Sequence, residues 1–525
     1  MRIAVAQFNP TVGDLAGNAK KILEAAEIAT QDDVDMVVFG AHALTGWPLA
    51  GLALSQAFLD DVQTTLQSIA KDAAANILIS APKAVQICDG VIEPLEELFV
   101  IDKKTLNSLG VPAVADPDES FGVDFGCDGV SICLDGHFDE PVAEEGDTVL
   151  LEMCADAFDS HYALPAARGK LERLKELATQ SGRFAVYVNL AGAADDVVFA
   201  GGSVIVTPQG ELLHACSLSK PEIVTFDTKP QGDVELANEQ DALQDEQALM
   251  WETLTLATHD YVVKNGFDDV VIGLSGGIDS SVVAALAADA LGAKNVHGVL
   301  MPSKFSSAGS VDDAAALAAN LGIDTVTIPI SGPADAFSDA LAQACGGKLE
   351  GVAAENLQAR VRCVYLMTLS NAHGWMLLNT GNKSEAAMGF STLYGDTAGA
   401  YAPIGELYKT QVYELARWGA AQSASIPQVC IDKAPSAELY EGAKDSDRLP
   451  EYDVLDRVLA AHIEGDAGRA QLLEEGFDQD VVDQVLRGVR SSEYKRRVEP
   501  VAPRLGGVAL TSQRAWPITN GWFDR

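Results

Sequence analysis

The stretch VVIGLSGGIDSS, residues 270–281, runs from a β-branched segment through a turn holding three glycines into an alanine-rich segment. Val270 to Ile272 read as a buried strand and the residues from Asp279 onward as a helix. Glycine permits positive φ and lets a ligand approach the backbone, while the first turn of a helix offers N–H groups to an anion. Strand, glycine turn and helix together make a phosphate cradle. The Walker A pattern requires a lysine before its Ser/Thr, and none occupies that place, so ordinary γ-phosphoryl transfer is not indicated.

Working outward, single apolar segments recur at 296–301 (VHGVLM), 325–330 (TVTIPI) and 375–380 (WMLLNT), separated by Ala/Leu-periodic helical stretches. That alternation predicts βαβ units and a doubly wound parallel sheet. The first half of the chain differs. Short β-branched runs such as RIAVAQF, DMVVFG, VSICL, TVLLEM and FAVYVNLAG alternate with polar or alanine-rich stretches such as Gly17 to Thr30, predicting a layered α/β domain with many strands. Between the halves, TKPQGDVELANEQDALQDEQ (228–247) is polar and acidic and reads as a linker. The expected division is therefore one domain over 1–228, a linker over 229–247 and a second domain over 248–525.

The 525 residues carry 36 basic and 76 acidic side chains, a net charge of −40. Such a surface disfavours nucleic acid or an anionic membrane as partner. The eight cysteines (88, 127, 133, 154, 216, 345, 363 and 430) form neither a CxxC pair nor a zinc-like Cys/His spacing. The N-terminus MRIAVAQFNP has no secretory pattern and no run is long and apolar enough to span a bilayer, so a cytoplasmic location is expected.

The 270–281 turn resembles the SGGxDS loop of the ATP pyrophosphatases, which hold ATP phosphates while AMP passes to a carboxylate or carbonyl. ENLQARVR (355–362), LLNTGNKSEAAMGFSTLYGD (377–396) and YAPIGELYKTQVYELARW (401–418) look like NAD synthetase. PSAELYEGAKDSDRLPEYDVLD (435–456) and EYKRR (493–497) resemble its glutamine-dependent, two-domain form. The resemblance implies an adenine nucleotide alpha hydrolase-like C-terminal domain that amidates deamido-NAD through an adenylate, with ATP as substrate and Mg²⁺ as cofactor. Carried over position by position, Gly273, Leu274, Ser275, Gly276, Gly277, Ile278, Asp279 and Ser280 would hold phosphates, and Thr380 would lie near the adenosine half. Asp279 and Glu385 would be the metal ligands and, with Lys409, the catalytic set. Asn356, Arg360, Glu385 and Lys495 would contact deamido-NAD. Lys383, Arg496 and Arg497 would add to a basic pocket, and the serine-rich segment 301–314 matches a mobile covering loop. A homo-oligomer is implied as well.

The first half is similar to the nitrilase-like glutaminase of such enzymes, which implies an α-β-β-α sandwich. That class uses a Cys nucleophile, a Glu base and a Lys that stabilises the oxyanion. Cys133 in VSICLD stands at the nucleophile position. FGAHALTGWP (39–48) places Ala41 at the base position, where a methyl cannot take a proton. Counting back from LGVPAVADPDESF (109–121) puts Leu106 at the lysine position, with Lys103 and Lys104 nearby. His42, one residue from the base position, would face the opposite side of an extended segment. Cys133 is therefore expected to be inactive, and ammonia, free or from a separate donor protein, to supply the nitrogen. Two alternatives stay open: a glutamine-dependent enzyme with a replaced base, and another ATP-pyrophosphatase amidotransferase.

Overall fold

In the N-terminal half, the first two strands bury both faces. In β1 (Arg2–Gln7), Ile3 and Val5 point to one core and Ala4 and Ala6 to another; in β2 (Met36–Phe39), Met36 and Val38 are split from Val37 and Phe39 in the same way. Period-two alternation between two apolar layers is what a sheet sandwiched on both sides requires.

These assignments come from a computed structural model that describes residues 1–88, 91–102, 105–110, 123–127, 130–134, 148–158, 163–218, 220–229, 236–237, 245–423, 425–506 and 508–522. The chain divides into two compact units, Met1–Glu246 and Gln247–Arg525. Most of the stretch expected to be a linker, and with it Lys103, Lys104, Asp135 and His137, lies outside the described residues.

The strands that follow in the first unit are β3 (Asn76–Cys88), β4 (Val91–Asp102), β5 (Thr105–Gly110), β6 (Val123–Cys127), β7 (Val130–Leu134), β8 (Val149–Met153), β9 (Phe184–Val188), β10 (Ala191–Ala194), β11 (Val197–Ala200), β12 (Val204–Val206), β13 (Leu212–Ala215) and β14 (Glu222–Asp227). Two six-stranded sheets form, in the orders β14-β1-β2-β3-β4-β5 and β13-β12-β9-β8-β7-β6, with β10 and β11 as a separate pair. Ile3, Val38 and Leu78 of one sheet meet Ile132, Leu151 and Val186 of the other in the central layer. Helices α1 (Leu15–Thr30) and α2 (Gln56–Asp72) cover the first sheet through Ile22, Val62, Leu66 and Ile69; α3 (Ala163–Ser181) covers the second through Leu171, Leu174 and Leu177. The result is an α-β-β-α sandwich.

The second unit begins with α4 (Glu246–Lys264) at its boundary and holds four parallel strands, β15 (Val270–Gly273), β16 (Val296–Leu300), β17 (Asp324–Thr327) and β18 (Met376–Leu377), in the order β17-β16-β15-β18. The chain steps outward from β15 in one direction, then returns to add β18 on its other side. At that reversal the connections leaving β15 and β18 diverge and open a crevice at the strands' carboxyl ends. The helices are α5 (Ile278–Leu291), α6 (Ala308–Leu321), α7 (Ser331–Leu341), α8 (Gly351–His373), α9 (Lys383–Met388) and α10 (Lys409–Ser423), followed by shorter helices to the C-terminus. Helix α5 is apolar all round and buried along most of its length, as a helix packed against both sheet and α10 must be.

The turn between β15 and α5 depends on one glycine. Gly276 has φ +76°, and a Cβ there would overlap the carbonyl oxygen of Ser310 and lie 3.0 Å from its carbon. Replacing Gly276 by Ala therefore combines a left-handed backbone with a clash against another backbone, and more than about 1 kcal/mol of destabilisation is expected. The melting temperature of the full chain should fall by at least about 2–4 °C; an unchanged melting temperature would show that the turn relaxes freely.

Candidate active site

The residues after β15 build the floor of the crevice. Leu274 N donates to Val299 O at 2.9 Å, which continues the sheet ladder one residue past the strand. Ser275 Oγ accepts from Gly277 N at 3.1 Å and lies 3.0 Å from Ser280 Oγ, while Ser281 Oγ donates to Gly277 O at 2.8 Å. The N-cap of α5 is Gly277, which has no side chain to cap the helix. The first turn of α5 is thus shaped for an anion bound by backbone N–H groups.

Asp279, in that first turn, meets two residues distant in sequence. Lys409 Nζ, at the start of α10, donates to Asp279 Oδ2 at 2.5 Å and lies 3.5 Å from Glu385 Oε1. Asn382 Nδ2 donates to Asp279 Oδ1 at 3.0 Å. Asn382 and Glu385 also form the capping box of α9: Glu385 N donates to Asn382 Oδ1 at 3.0 Å and Asn382 N to Glu385 Oε2 at 3.3 Å. The short GNKSE motif therefore carries its own reason to form a helix and aims its glutamate at the lysine.

Electrostatically the cluster has an excess of negative charge. Burial, aided by the charges of Asp279 and Asp445, pushes Glu385 up to about 8 against the opposing pull of Lys409. Burial works against the charge of Lys409, but Asp279 and Glu385 outweigh it and hold the ammonium above the usual lysine range. Burial also raises Asp445, which accepts from Tyr452 Oη at 3.0 Å. Three carboxylates around one ammonium are hard oxygen donors, and one or two of them suit Mg²⁺, which is commonly bound by few carboxylates together with substrate phosphates.

A cavity of about 320 Å³ joins these parts, its lining including Ser275, Asp279, Thr380, Glu385 and Lys409. Sequence reasoning missed Arg362, Lys433 and Asp445, which also line it. Arg362 donates from Nε to Met301 O at 3.2 Å, and burial lowers its guanidinium pKa against the charges of Asp396 and Glu438. Its only sequence signal is its place two residues after Arg360 in ARVR.

Asn356, Arg360 and Lys495 are absent from the cavity wall but converge on one neighbouring segment. Asn356 Oδ1 accepts from Thr392 Oγ1 at 2.8 Å, Arg360 Nε donates to Leu393 O at 3.2 Å, and Lys495 Nζ donates to Gly389 O and Ser391 O at 2.7 and 2.5 Å. Ser391 itself faces the cavity.

Three expected basic residues do not join the pocket. Lys383 is buried against Glu464 at 2.9 Å, Val508 O at 3.0 Å and Glu406 at 3.3 Å. Arg496 is spent on Glu493 and on the carbonyls of Ala387 and Val489, and Arg497 pairs with Glu493 at 2.7 Å. Local carboxylates and helix-end carbonyls neutralise all three. The segment 301–314, expected as a covering loop, is partly helical. Its second half is the start of α6, and Ser307 and Ser310 donate to Glu438 Oε1 at 3.1 and 2.6 Å, with Lys433 against Ser310 Oγ.

In the first unit, Cys133 lies one residue before the end of β7, in register with Glu152 of β8, and its side chain packs in the α3-facing core at 1% exposure. Ala41 N donates to Cys154 O at 3.1 Å, which brings the base position to the end of the strand beside Cys133. Leu106 packs in the core beneath α1 and α2. His42 corrects the sequence reading: it sits in a turn at φ +58°, not on an extended segment, and its buried ring stacks on Trp47 at 4.7 Å. Sequence reasoning also missed a polar cluster beside Cys133. Glu152, fully buried, takes two contacts of 2.6 Å from Arg173 of α3; Asp156 takes Lys170 at 2.7 Å and Tyr187 Oη at 2.6 Å. Helix α3 supplies both cations to acids spaced four apart, Glu152 within β8 and Asp156 just past its end.

Residues 250–499 match the NAD synthase family. The glutamine-dependent NAD(+) synthetase of Rhodobacter capsulatus is 36% identical over 100% of this chain and 99% of its own length; that of Thermotoga maritima is 35% identical over 99% and 98%. Among solved structures, the glutamine-dependent NAD+ synthetase from Acinetobacter baumannii in complex with ADP superposes with a TM-score of 0.69 at 29% identity, covering 100% of this chain and 99% of that one. The Cytophaga hutchinsonii structure shares the fold at a TM-score of 0.79 and 19% identity, with 99% and 98% covered. With both units matched end to end and an SGG turn opening on an Asp–Lys–Glu cluster, the chain belongs to the glutamine-dependent NAD(+) synthetase family.

Proposed function

We propose that the second unit amidates the nicotinate carboxylate of deamido-NAD in two steps, with ammonia as its nitrogen donor. A carboxylate is a poor electrophile at neutral pH; transfer of AMP from ATP converts it to an acyl adenylate and releases pyrophosphate. Ammonia then attacks the acyl carbon, AMP leaves with the bonding electrons, and the extra proton passes to solvent, leaving NAD.

The observation that carries this reading is the meeting of Asp279, Glu385 and Lys409 under the glycine turn at the sheet's reversal point. On this reading the backbone of Gly273 to Ser280 holds phosphates and Thr380 lies beside the adenosine. Lys409 keeps its proton and places a fixed positive charge against the phosphates. Mg²⁺ would be held by Asp279 and Glu385, and it supplies charge neutralisation on the phosphates. Asn356, Arg360 and Lys495 act through the 389–393 segment, orienting deamido-NAD against the cavity. We take the domain boundary to fall at 229–247 and the working form to be a homo-oligomer, a reading supported by the fully exposed edge strand β17 and by Val352, Val364 and Met367 exposed on α8. No helix among the described residues is long and apolar enough to cross a membrane. Six described cysteines are free thiols, which agrees with a reducing, cytoplasmic setting.

The choice of ammonia rests on Ala41. A glutaminase needs a base to take the proton of its thiol, and on this reading Ala41 offers only a methyl in its place. A second reading, a glutamine-dependent enzyme with a substituted base, is favoured by the names of the relatives and by Glu152 standing in register with Cys133, although both oxygens of Glu152 are engaged by Arg173.

Purified protein given deamido-NAD, ATP and Mg²⁺ should form NAD with ammonium and lag at least about a hundredfold with ammonia-free glutamine, in line with the usual contribution of a general base. Comparable rates from the two donors would overturn the ammonia assignment and leave the synthetase assignment standing. In the ammonium assay, Asp279→Asn and Glu385→Gln should each lower kcat/KM by about 10²-fold or more, whereas Cys133→Ala should change it less than about twofold. Equal losses in all three would sink the division of labour between the units.

A further inference from the structure

Three potential ligands outside the proposed active site meet where the two sheets of the first unit come closest along the chain. Strand β13 is the edge of the second sheet and β14, the next strand in the chain, is the edge of the first. His214 near the end of β13, Cys216 just after it and Glu222 at the start of β14 bring an imidazole nitrogen, a thiol sulfur and a carboxylate oxygen within 4.8 Å of one another. We propose that these three side chains bind a divalent transition cation, Zn²⁺ by the chemistry of the donors, and that the ion clips the two sheet edges together.

The geometry is close to that of a zinc site before the metal enters. Tetrahedral zinc with bonds of about 2.0–2.3 Å holds neighbouring ligand atoms about 3.3–3.8 Å apart. His214 Nε2 and Glu222 Oε1 are already 3.3 Å apart. Separations at the 4.8 Å limit have to close by only about 1 Å to meet that requirement, a shift within reach of side-chain rotation. The donor set excludes the hard cations: Mg²⁺ and Ca²⁺ take oxygen ligands, whereas one sulfur, one nitrogen and one oxygen suit zinc. This separates the site chemically from the all-oxygen carboxylates around Asp279.

The site is also held in place by contacts that do not involve the ligand atoms. Cys216 N donates to Ser203 O at 2.8 Å, and Ser217 N donates to the second carboxylate oxygen of Glu222, Oε2, at 3.1 Å, leaving Oε1 turned toward His214. The buried side chain of Gln7 donates to both Ser217 O and Lys220 O, at 2.6 and 2.7 Å, and accepts from Ser203 N at 2.9 Å. Gln7 thus ties the loop that carries the ligands to strand β1. A ligand set fixed in this way loses little conformational freedom when it closes on an ion. Cys216 is buried, whereas the side chains of His214 and Glu222 are each 37% exposed, so the remaining coordination position faces water. On binding, the Cys216 thiol gives its proton to the buffer as the sulfur–zinc bond forms.

The sulfur ligand gives the test a specific signature. Full-length protein stripped with a chelator is titrated with Zn²⁺ by calorimetry, and separately with Co²⁺ in the absorption spectrometer. One Zn²⁺ per chain at submicromolar Kd, and a thiolate-to-cobalt charge-transfer band that Zn²⁺ abolishes, are expected. Cys216→Ser should remove the band, and His214→Ala and Glu222→Gln should each weaken zinc binding by about tenfold or more. Because the wild-type spectrum needs no variant, poor folding of any one substitution does not rescue the idea. A wild-type chain with no charge-transfer band, or zinc affinity unchanged in Cys216→Ser and Glu222→Gln, would overturn it.

Discussion

The buried ammonium of Lys409 is the interaction that holds the walls of the second unit's cavity together. It draws Asp279 from α5, Glu385 from α9 and its own helix α10 to one point, joining residues 130 and 24 positions away. Taking such charges out of water is unfavourable unless they are paired and hydrogen-bonded, and removing one partner of a buried pair commonly costs about 3–5 kcal/mol. The three helices are therefore locked in the arrangement that also shapes the crevice. Burial, aided by the charges of Asp279 and Asp445, raises Glu385, and the carboxyl groups gathered around Lys409 to hold the helices are the ones that, on the proposed reading, would hold a divalent cation.

The acidic balance of the chain, a net charge of −40, continues into the cavity, where Asp279, Glu385, Asp396, Glu438, Asp445 and Glu499 stand on the wall beside Lys409, Arg362 and Lys433, with a helix N-terminus at the floor. The cations and the helix N-terminus are the local features that favour an anion there. Basic residues deeper in the unit do not contribute: Lys383 and Arg496 are neutralised where they stand and serve the packing of the C-terminal helices.

What the sequence revealed and what it hid follow from sequence separation. The turn at 270–281 and the capping box of GNKSE are local, made from residues within a dozen positions, so their chemistry is written in consecutive letters. A layered first half with many strands is legible for the same reason, through its short β-branched runs, whereas the two-sheet sandwich is implied by the resemblance and not by the runs themselves. Arg362, Asp445 and the Glu152–Arg173 pair become meaningful only when elements 20 to more than 100 residues apart are packed, and no local pattern announces that. Lys383 and Arg496 show the converse error, since a basic residue in a matching motif reads as a ligand until its buried partner is known. For His42 the backbone itself was misjudged, because the glycine-bounded run after β2 turns at once and strand alternation does not apply.

The first unit shows a physical asymmetry that bears on its proposed loss of glutaminase chemistry. A buried carboxylate at the position of Ala41 would have to be desolvated and then satisfied, and its replacement by a methyl removes that demand. Truncating Glu152 would have the opposite effect, removing a fully buried carboxylate whose two oxygens hold Arg173. Stability therefore tolerates the absence of the base and resists the absence of the neighbouring ion pair. Cys133, packed among Leu150, Cys154 and Leu174 as a small apolar group, needs no catalytic role to account for its presence. On the ammonia reading, packing forces alone would maintain a folded sandwich with a sulfhydryl at the nucleophile position.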